Sequence, residues 1–122
     1  LGGVDADLGQ MQQVIMNLVR NSIDAMTGWP KRDLILRTGL KEANYVEVAV
    51  IDTGPGVSEN VRSSLFTPFM STKAQGTGLG LAICKTIIEA HGGNLWYEET
   101  PSGGATFKFT LPINGKAEPK HG

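Results

Sequence analysis

The 122-residue chain sets 11 Lys and Arg against 12 Asp and Glu, a formal net charge of -1, with 40% apolar and 19% charged residues. This is the balance of one ordinary globular domain, without the basic run or cationic amphipathic helix that binds nucleic acid or a membrane surface. No membrane-spanning stretch, signal-peptide pattern or internal repeat is present, and a lone cysteine, Cys84, excludes an intrachain disulfide and is compatible with a reducing compartment.

The first expected element is a helix over residues 7–26, stopped by Thr27-Gly28-Trp29-Pro30. Met11, Val14, Ile15, Leu18, Val19, Ser22, Ile23 and Met26 recur at helical spacing as its apolar face. At about 100° per residue, Gln13, Asn17, Arg20, Asn21 and Asp24 share the other arc. A solvated face accounts for Gln13 and Arg20. It accounts less well for two asparagines one turn apart, since Asn is a poor helix former that adds nothing to a mid-helix surface.

Strands are expected over 33–38 and 45–51, joined by the turn-forming Lys41-Glu42-Ala43-Asn44. In the second, Val46, Val48 and Val50 share a face whose parity Asp52 continues, just before the turn Thr53-Gly54-Pro55-Gly56. That buried-side carboxylate is either an Asx-type turn cap or an acceptor at the floor of a pocket.

A short helix capped by Ser58 is expected over 58–66, and a loop carrying Phe69 and Lys73 over 67–75. Gly76-Thr77-Gly78-Leu79-Gly80-Leu81 then leads into a helix over 79–90, with Leu79, Ala82, Ile83, Thr86, Ile87 and Ala90 at helical spacing. Alternate glycines at the positive end of a helix either cradle a phosphate or merely reverse the chain. Cys84 falls inside this helical pattern as a core residue, and His91-Gly92-Gly93 closes it, with His91 as a cap. A hairpin of 94–99 and 105–112 turns at Thr100-Pro101-Ser102-Gly103-Gly104, and a polar, disordered tail over 114–122 is expected to follow a single domain over 1–113.

Taken together these segments resemble the ATP-binding catalytic domain of sensor histidine kinases, in the superfamily that includes gyrase, the heat-shock chaperone and mismatch-repair ATPases. Residues 13–26 look like the N box, Asp52-Thr53-Gly54-Pro55-Gly56-Val57 like the G1 box, Leu65-Phe66-Thr67-Pro68-Phe69 like the F box, and residues 76–81 like the G2 box. Ser71-Thr72-Lys73 and the short loop before Gly76 are most similar to the nitrogen- and oxygen-sensing type.

The resemblance implies an α/β two-layer sandwich, a mixed and mostly antiparallel sheet with helices on one face and ATP between them. By the same resemblance Asp52 accepts the adenine amino hydrogen, and Gly54, Gly56 and Val57 pass close to the base. Asn21 offers an amide oxygen to Mg²⁺. Gly76, Thr77, Gly78, Leu79, Gly80 and Leu81 hold the phosphates, and Thr106 supports the base. Lys73 is either a point charge on the γ-phosphate or a solvated loop lysine. Asn17 stands where gyrase-like relatives place a glutamate that activates water; an amide cannot take that proton, so the implied activity is transfer of the γ-phosphoryl group to a histidine rather than hydrolysis.

Neither His91 nor His121 reads as that acceptor, so the implied partner is a dimerisation and phosphoacceptor domain upstream in the same protein, with a response-regulator receiver acting after it. The fragment is expected to be monomeric and the full protein homodimeric. Three departures from the family pattern stand out: only Leu1-Gly2-Gly3-Val4 precedes Asp5 where family domains usually carry one or more strands, so the sheet is expected to lack an edge; Asp24 stands where many histidine kinases place a phosphate-directed lysine; and Gly104-Ala105 stands where ATPase relatives have Gly-Thr. A clamp-type ATPase and a catalytically silent ATP-binding module are the alternatives. A dinucleotide-binding unit fails because residues 71–75 are not the apolar strand its glycines must follow.

Overall fold

The computed structural model describes residues 7–42, 44–67, 80–101 and 103–113. Asp7 opens helix α1 (Leu8–Ala25) as an N-cap, its carboxylate accepting the Gln10 N–H at 2.9 Å. Gly28, at φ 76°, takes the left-handed turn that carries the chain off the helix. The two strands that follow, β1 (Leu34–Lys41) and β2 (Tyr45–Asp52), form an antiparallel hairpin that pairs Lys41 with Tyr45 and Leu34 with Asp52. β1 runs past its expected end at Thr38 because the turn at Glu42, with φ 57°, keeps Leu40 opposite Val46.

Helix α2 is a single turn, Glu59–Arg62, shorter than the 58–66 expected. Ser58 occupies the N-cap, but its hydroxyl goes to Asn60 Oδ1 at 2.8 Å instead of a backbone N–H, and from Ser63 the chain continues as turns. Helix α3 (Gly80–Ala90), β3 (Asn94–Glu99) and β4 (Ala105–Pro112) complete the fold, the last two as the expected hairpin.

The sheet order is β1-β2-β4-β3, and all its described pairings are antiparallel. β4 is central, so its inward residues Phe107, Phe109 and Leu111 form the middle of the core. Val14 and Leu18 of α1 and Cys84, Ile87 and Ile88 of α3 close over them, each large apolar side chain contributing about 1.5–3 kcal/mol by leaving water. This is the expected two-layer α/β sandwich with helices on one face. The helix layer stops short of β1, whose inward Leu36 and Leu40 stay exposed.

The opposite face of the sheet is charged. Lys41 and Lys108 lie 3.7 and 4.0 Å from the Glu47 carboxylate, Lys108 meets Glu98 at 3.1 Å, and Trp96 donates its indole N–H to Glu98 at 2.8 Å. At the end of α3, His91 Nδ1 lies 2.8 Å from the Ile87 carbonyl and Nε2 accepts the Asp7 N–H at 3.2 Å. That pair of bonds fits the neutral imidazole protonated on Nδ1, and it ties the start of α1 to the end of α3.

Candidate nucleotide site

Period-2 alternation puts Asp52 on the inner face of β2 in line with Val46, Val48 and Val50, and it is only 1% exposed. A carboxylate this deep needs donors. Two backbone groups supply them: Gly54 N–H at 2.9 Å and Ala105 N–H at 3.1 Å, both on Oδ1. Oδ2 takes part in neither bond.

Glycines make this convergence possible. A Cβ on Gly104 would run into the carbonyl oxygen of Asp52, so only glycine lets β4 begin close enough for Ala105 to reach the carboxylate. A Cβ on Gly54 would lie 3.1 Å from Met26 Cγ and 3.2 Å from Asp52 Oδ1. The loop after β2 therefore sits directly against the last turn of α1. Gly56, at φ 78°, adopts a conformation that side chains disfavour, and a Cβ there would be 2.5 Å from the Gly103 carbonyl.

Thr53 clamps the other side of the site. Its hydroxyl accepts the Asp33 N–H at 2.9 Å and donates to the Lys31 carbonyl at 3.0 Å, fixing the segment from α1 to β1 against the end of β2. Val57 is half-buried against the core, its N–H on the Tyr97 hydroxyl at 3.3 Å and its carbonyl on Arg62 Nε at 2.9 Å. Phe66 packs edge-on to Phe107, with ring centroids 6.4 Å apart, so the first half of the expected F box lies on the core.

Asn17 and Asn21, one turn apart on α1, are both half-buried. The Cys84 sulfur of α3 lies 3.7 Å from the Val14 carbonyl of α1. Burial pushes the Cys84 thiol pKa up, with the neighbouring Asn17 amide opposing it, as a core residue requires. Gly80 is the first residue of α3, where a Cβ would meet nothing, and Leu81 packs on the core.

Thr106 is not brought to this site. It follows Ala105 by one residue and so points to the other face of the sheet, where its hydroxyl lies 2.8 Å from that of Thr100. The group that reaches Asp52 from this strand is the backbone of Ala105. Reasoning from side-chain chemistry passed over it, although the Gly103-Gly104 pair ahead of a strand marks a close backbone approach. Lys73, Gly76, Thr77, Gly78 and Leu79, together with Phe69, lie outside the described residues.

Comparison with known proteins agrees with this geometry. The model of the histidine kinase-, DNA gyrase B-, and HSP90-like ATPase family matches residues 6–115. The sensor protein FixL of Bradyrhizobium diazoefficiens is 48% identical over 107 residues, covering 88% of this chain and 21% of FixL. The C4-dicarboxylate transport sensor protein DctS of Rhodobacter capsulatus is 43% identical over 118 residues, 96% of this chain and 18% of DctS. The chain thus spans about a fifth of the length of these relatives. Among solved structures, the nucleotide-free catalytic domain of the histidine kinase ThkA matches with a TM-score of 0.82 and 37% identity, over 94% of this chain and 74% of that one. Full-length ShkA in complex with AMPPNP matches at 0.79 and 31%, over 93% of this chain and 23% of its own. The chain belongs to the histidine kinase-, DNA gyrase B-, and HSP90-like ATPase family, and it has the fold of the catalytic domains of histidine kinases.

Proposed function

We propose that the chain holds Mg²⁺ and ATP between α1 and the sheet and delivers the γ-phosphoryl group to a histidine on a separate dimerisation domain of the same protein. The observation that carries this reading is the buried Asp52 carboxylate, fixed through Oδ1 by two backbone N–H groups. An ionised carboxylate accepts and does not donate, so Oδ2 suits the exocyclic amine of adenine and repels the carbonyl that guanine presents in its place. Gly54, Gly56 and Val57 form the wall beside it. Sensor kinases among the relatives, and a related kinase solved with AMPPNP, support the choice of ATP.

Asn21 fits a magnesium site as a neutral oxygen ligand. Mg²⁺ prefers oxygen ligands and keeps most of its waters, so the Asn21 amide oxygen would suffice as its protein ligand. When bound, the ion would neutralise charge on the phosphates. Asn17 cannot take a proton from water, so its amide orients groups near the phosphates without promoting hydrolysis. The first N–H groups of α3, at Gly80 and Leu81, point toward an anion at the helix start, and Gly76, Thr77, Gly78, Leu79 and Lys73 are assigned to the same phosphates.

In the transfer, a nitrogen of the acceptor imidazole forms a bond to the γ-phosphorus as the bond from that phosphorus to the β,γ-bridging oxygen breaks, and ADP leaves. A receiver domain of a response regulator then takes the phosphoryl group. We place this chemistry in the cytoplasm, within a homodimeric kinase.

Binding of a non-hydrolysable ATP analogue, with and without Mg²⁺, tests the reading on the chain and on Asn21→Ala. The unaltered chain binds more tightly with Mg²⁺, and Asn21→Ala loses most of that increment. With labelled ATP, the purified phosphoacceptor domain becomes labelled on histidine. Absence of analogue binding, or a magnesium increment intact in Asn21→Ala, refutes the assignment.

A further inference from the structure

Helix α2 has no buried residue, so apolar burial does not hold its single turn to the domain. Arg62, its last residue, ties it down instead. Nε donates to the Val57 carbonyl at 2.9 Å, the guanidinium carbon lies 5.5 Å from the centre of the Tyr97 ring on β3, and Nη2 lies 3.6 Å from the Glu99 carboxylate. A planar guanidinium can donate through its edge while its face rests on an aromatic ring. Tyr97 in turn packs on Phe107 in the middle of the core, with ring centroids 5.5 Å apart. The anchor is therefore the sheet.

These contacts converge on Val57. Its N–H donates to the Tyr97 hydroxyl at 3.3 Å and its carbonyl accepts from Arg62, so both of its backbone polar groups are held by side chains that also touch each other. Residues 54–57 lead from the buried carboxylate to α2. The other end of that stretch is fixed as well, by the Gly54 N–H on Asp52 Oδ1 at 2.9 Å. Between the two ends lies Gly56, at φ 78°. Glycine has the most backbone freedom to lose, and a loop left free must be ordered by whatever binds to it. Pinned at both ends, this loop is ordered beforehand.

Resting on the ATP reading above, we propose that Arg62 and Tyr97 are positioning residues for nucleotide binding: through the two backbone polar groups of Val57 they hold residues 54–57 in the conformation that receives the nucleotide. Their effect is on affinity. The transfer step, which takes place at the phosphates, does not draw on them. Glu99 is only a screened counter-charge to Arg62, since its side chain is 60% exposed.

Tyr97→Phe keeps the ring against Phe107 and deletes only the acceptor of the Val57 N–H, and Arg62→Met keeps an unbranched stem and deletes the donor to the Val57 carbonyl. Measured well below the melting temperature, each should weaken binding of the Mg²⁺ complex of a non-hydrolysable ATP analogue about fivefold. ADP should lose the same factor, because the loop receives both nucleotides. With the phosphoacceptor domain supplied, KM for ATP should rise by that factor while kcat stays within about twofold. Glu99→Gln, which breaks only the exposed ion pair, should leave all of these unchanged. A purely structural role lowers the melting temperature and moves neither the affinities nor KM. The proposal is overturned if Tyr97→Phe and Arg62→Met bind the analogue undiminished, if ADP binding is spared, or if kcat falls with KM unchanged; should Arg62→Met fail to fold, Tyr97→Phe alone decides. The two failures are distinguishable. If the unaltered chain binds the analogue and both variants bind it equally well, only the positioning role falls; if the unaltered chain binds neither nucleotide, the ATP reading falls and takes the proposal with it.

Discussion

Ala105, the first residue of β4, donates its backbone N–H at 3.1 Å to the carboxylate of Asp52, the last residue of β2, although 53 positions separate them in the chain. The register that pairs Ile51 with Thr106 delivers Ala105 one step further along, level with Asp52. Among the described residues the hydrogen bonds of this carboxylate come from backbone groups. The sheet itself and the glycine turn after β2 orient it, and the precision of the acceptor depends on how closely the two strand ends approach.

That closeness is testable at Gly104. A Cβ there would collide with the carbonyl oxygen of Asp52, and a backbone atom cannot swing aside as a flexible side chain would. Gly104→Val should cost about 2 kcal/mol or more, roughly 6 °C in melting temperature, with nucleotide affinity falling alongside. Gly39→Ala is the control, because a Cβ at that position meets nothing; its change should stay within about 0.5 kcal/mol. Equal melting temperatures for the two variants would mean that the strand ends are not tightly apposed.

The charged sheet face predicts an acid transition. The indole N–H of Trp96, followed by the Lys108 ammonium, holds the Glu98 pKa below its usual range. A pKa lower in the folded than in the unfolded state stabilises the fold above the ordinary glutamate value, and that contribution is lost as the pH falls through the lowered folded value. In a Trp29→Phe background, Trp96 emission should therefore change with a midpoint below that of a free glutamate. Glu98→Gln should abolish the change. Because Glu98 is largely exposed, the accompanying loss of stability is small.

The placement of these side chains was legible in the sequence for physical reasons. Strand alternation extends the parity of three valines to Asp52, which lies buried as that predicts, and helical spacing puts Asn17 and Asn21 on one arc of α1. Local pattern carries that kind of information. It could not show that Ala105 answers Asp52, since the contact joins distant strands and uses a backbone group, nor that Thr106 turns away once the register is set. The bonds of Thr53 to Lys31 and Asp33, and of His91 to Asp7, are likewise products of tertiary packing. The shortened α2 has a different cause: Ser58 was the right residue type for a cap, but its hydroxyl chose the Asn60 side chain.

Cys84 offers a probe of the α1–α3 interface. It has no solvent exposure, and its raised thiol pKa keeps the thiolate scarce at neutral pH. Labelling by a disulfide reagent should be at least about a hundredfold slower than for the unfolded chain, accelerating only as denaturant unfolds the domain. The raised pKa also sets the sign at alkaline pH: the fold binds its thiol proton more tightly than the unfolded chain, so stability is lost as the pH rises above the ordinary thiol range. Cys84→Ala should flatten that alkaline decline. Rapid native labelling would place the sulfur outside the core.

Asp52 allows its two roles to be separated. In Asp52→Asn the amide oxygen can still accept the N–H groups of Gly54 and Ala105, while the amide nitrogen presents a donor where the carboxylate presented an acceptor. The fold should survive with a change of about 1 kcal/mol or less, and ATP affinity should fall by roughly a hundredfold, because two donors then face each other in a dry site. Asp52→Ala removes the acceptor as well and orphans both N–H groups, so it should lose a further 2 kcal/mol or so of stability. Calorimetric titration and thermal unfolding of the two variants measure the split. If Asp52→Asn binds ATP as the unaltered chain does, the carboxylate is a structural cap for the turn at Gly54 and the base is recognised elsewhere.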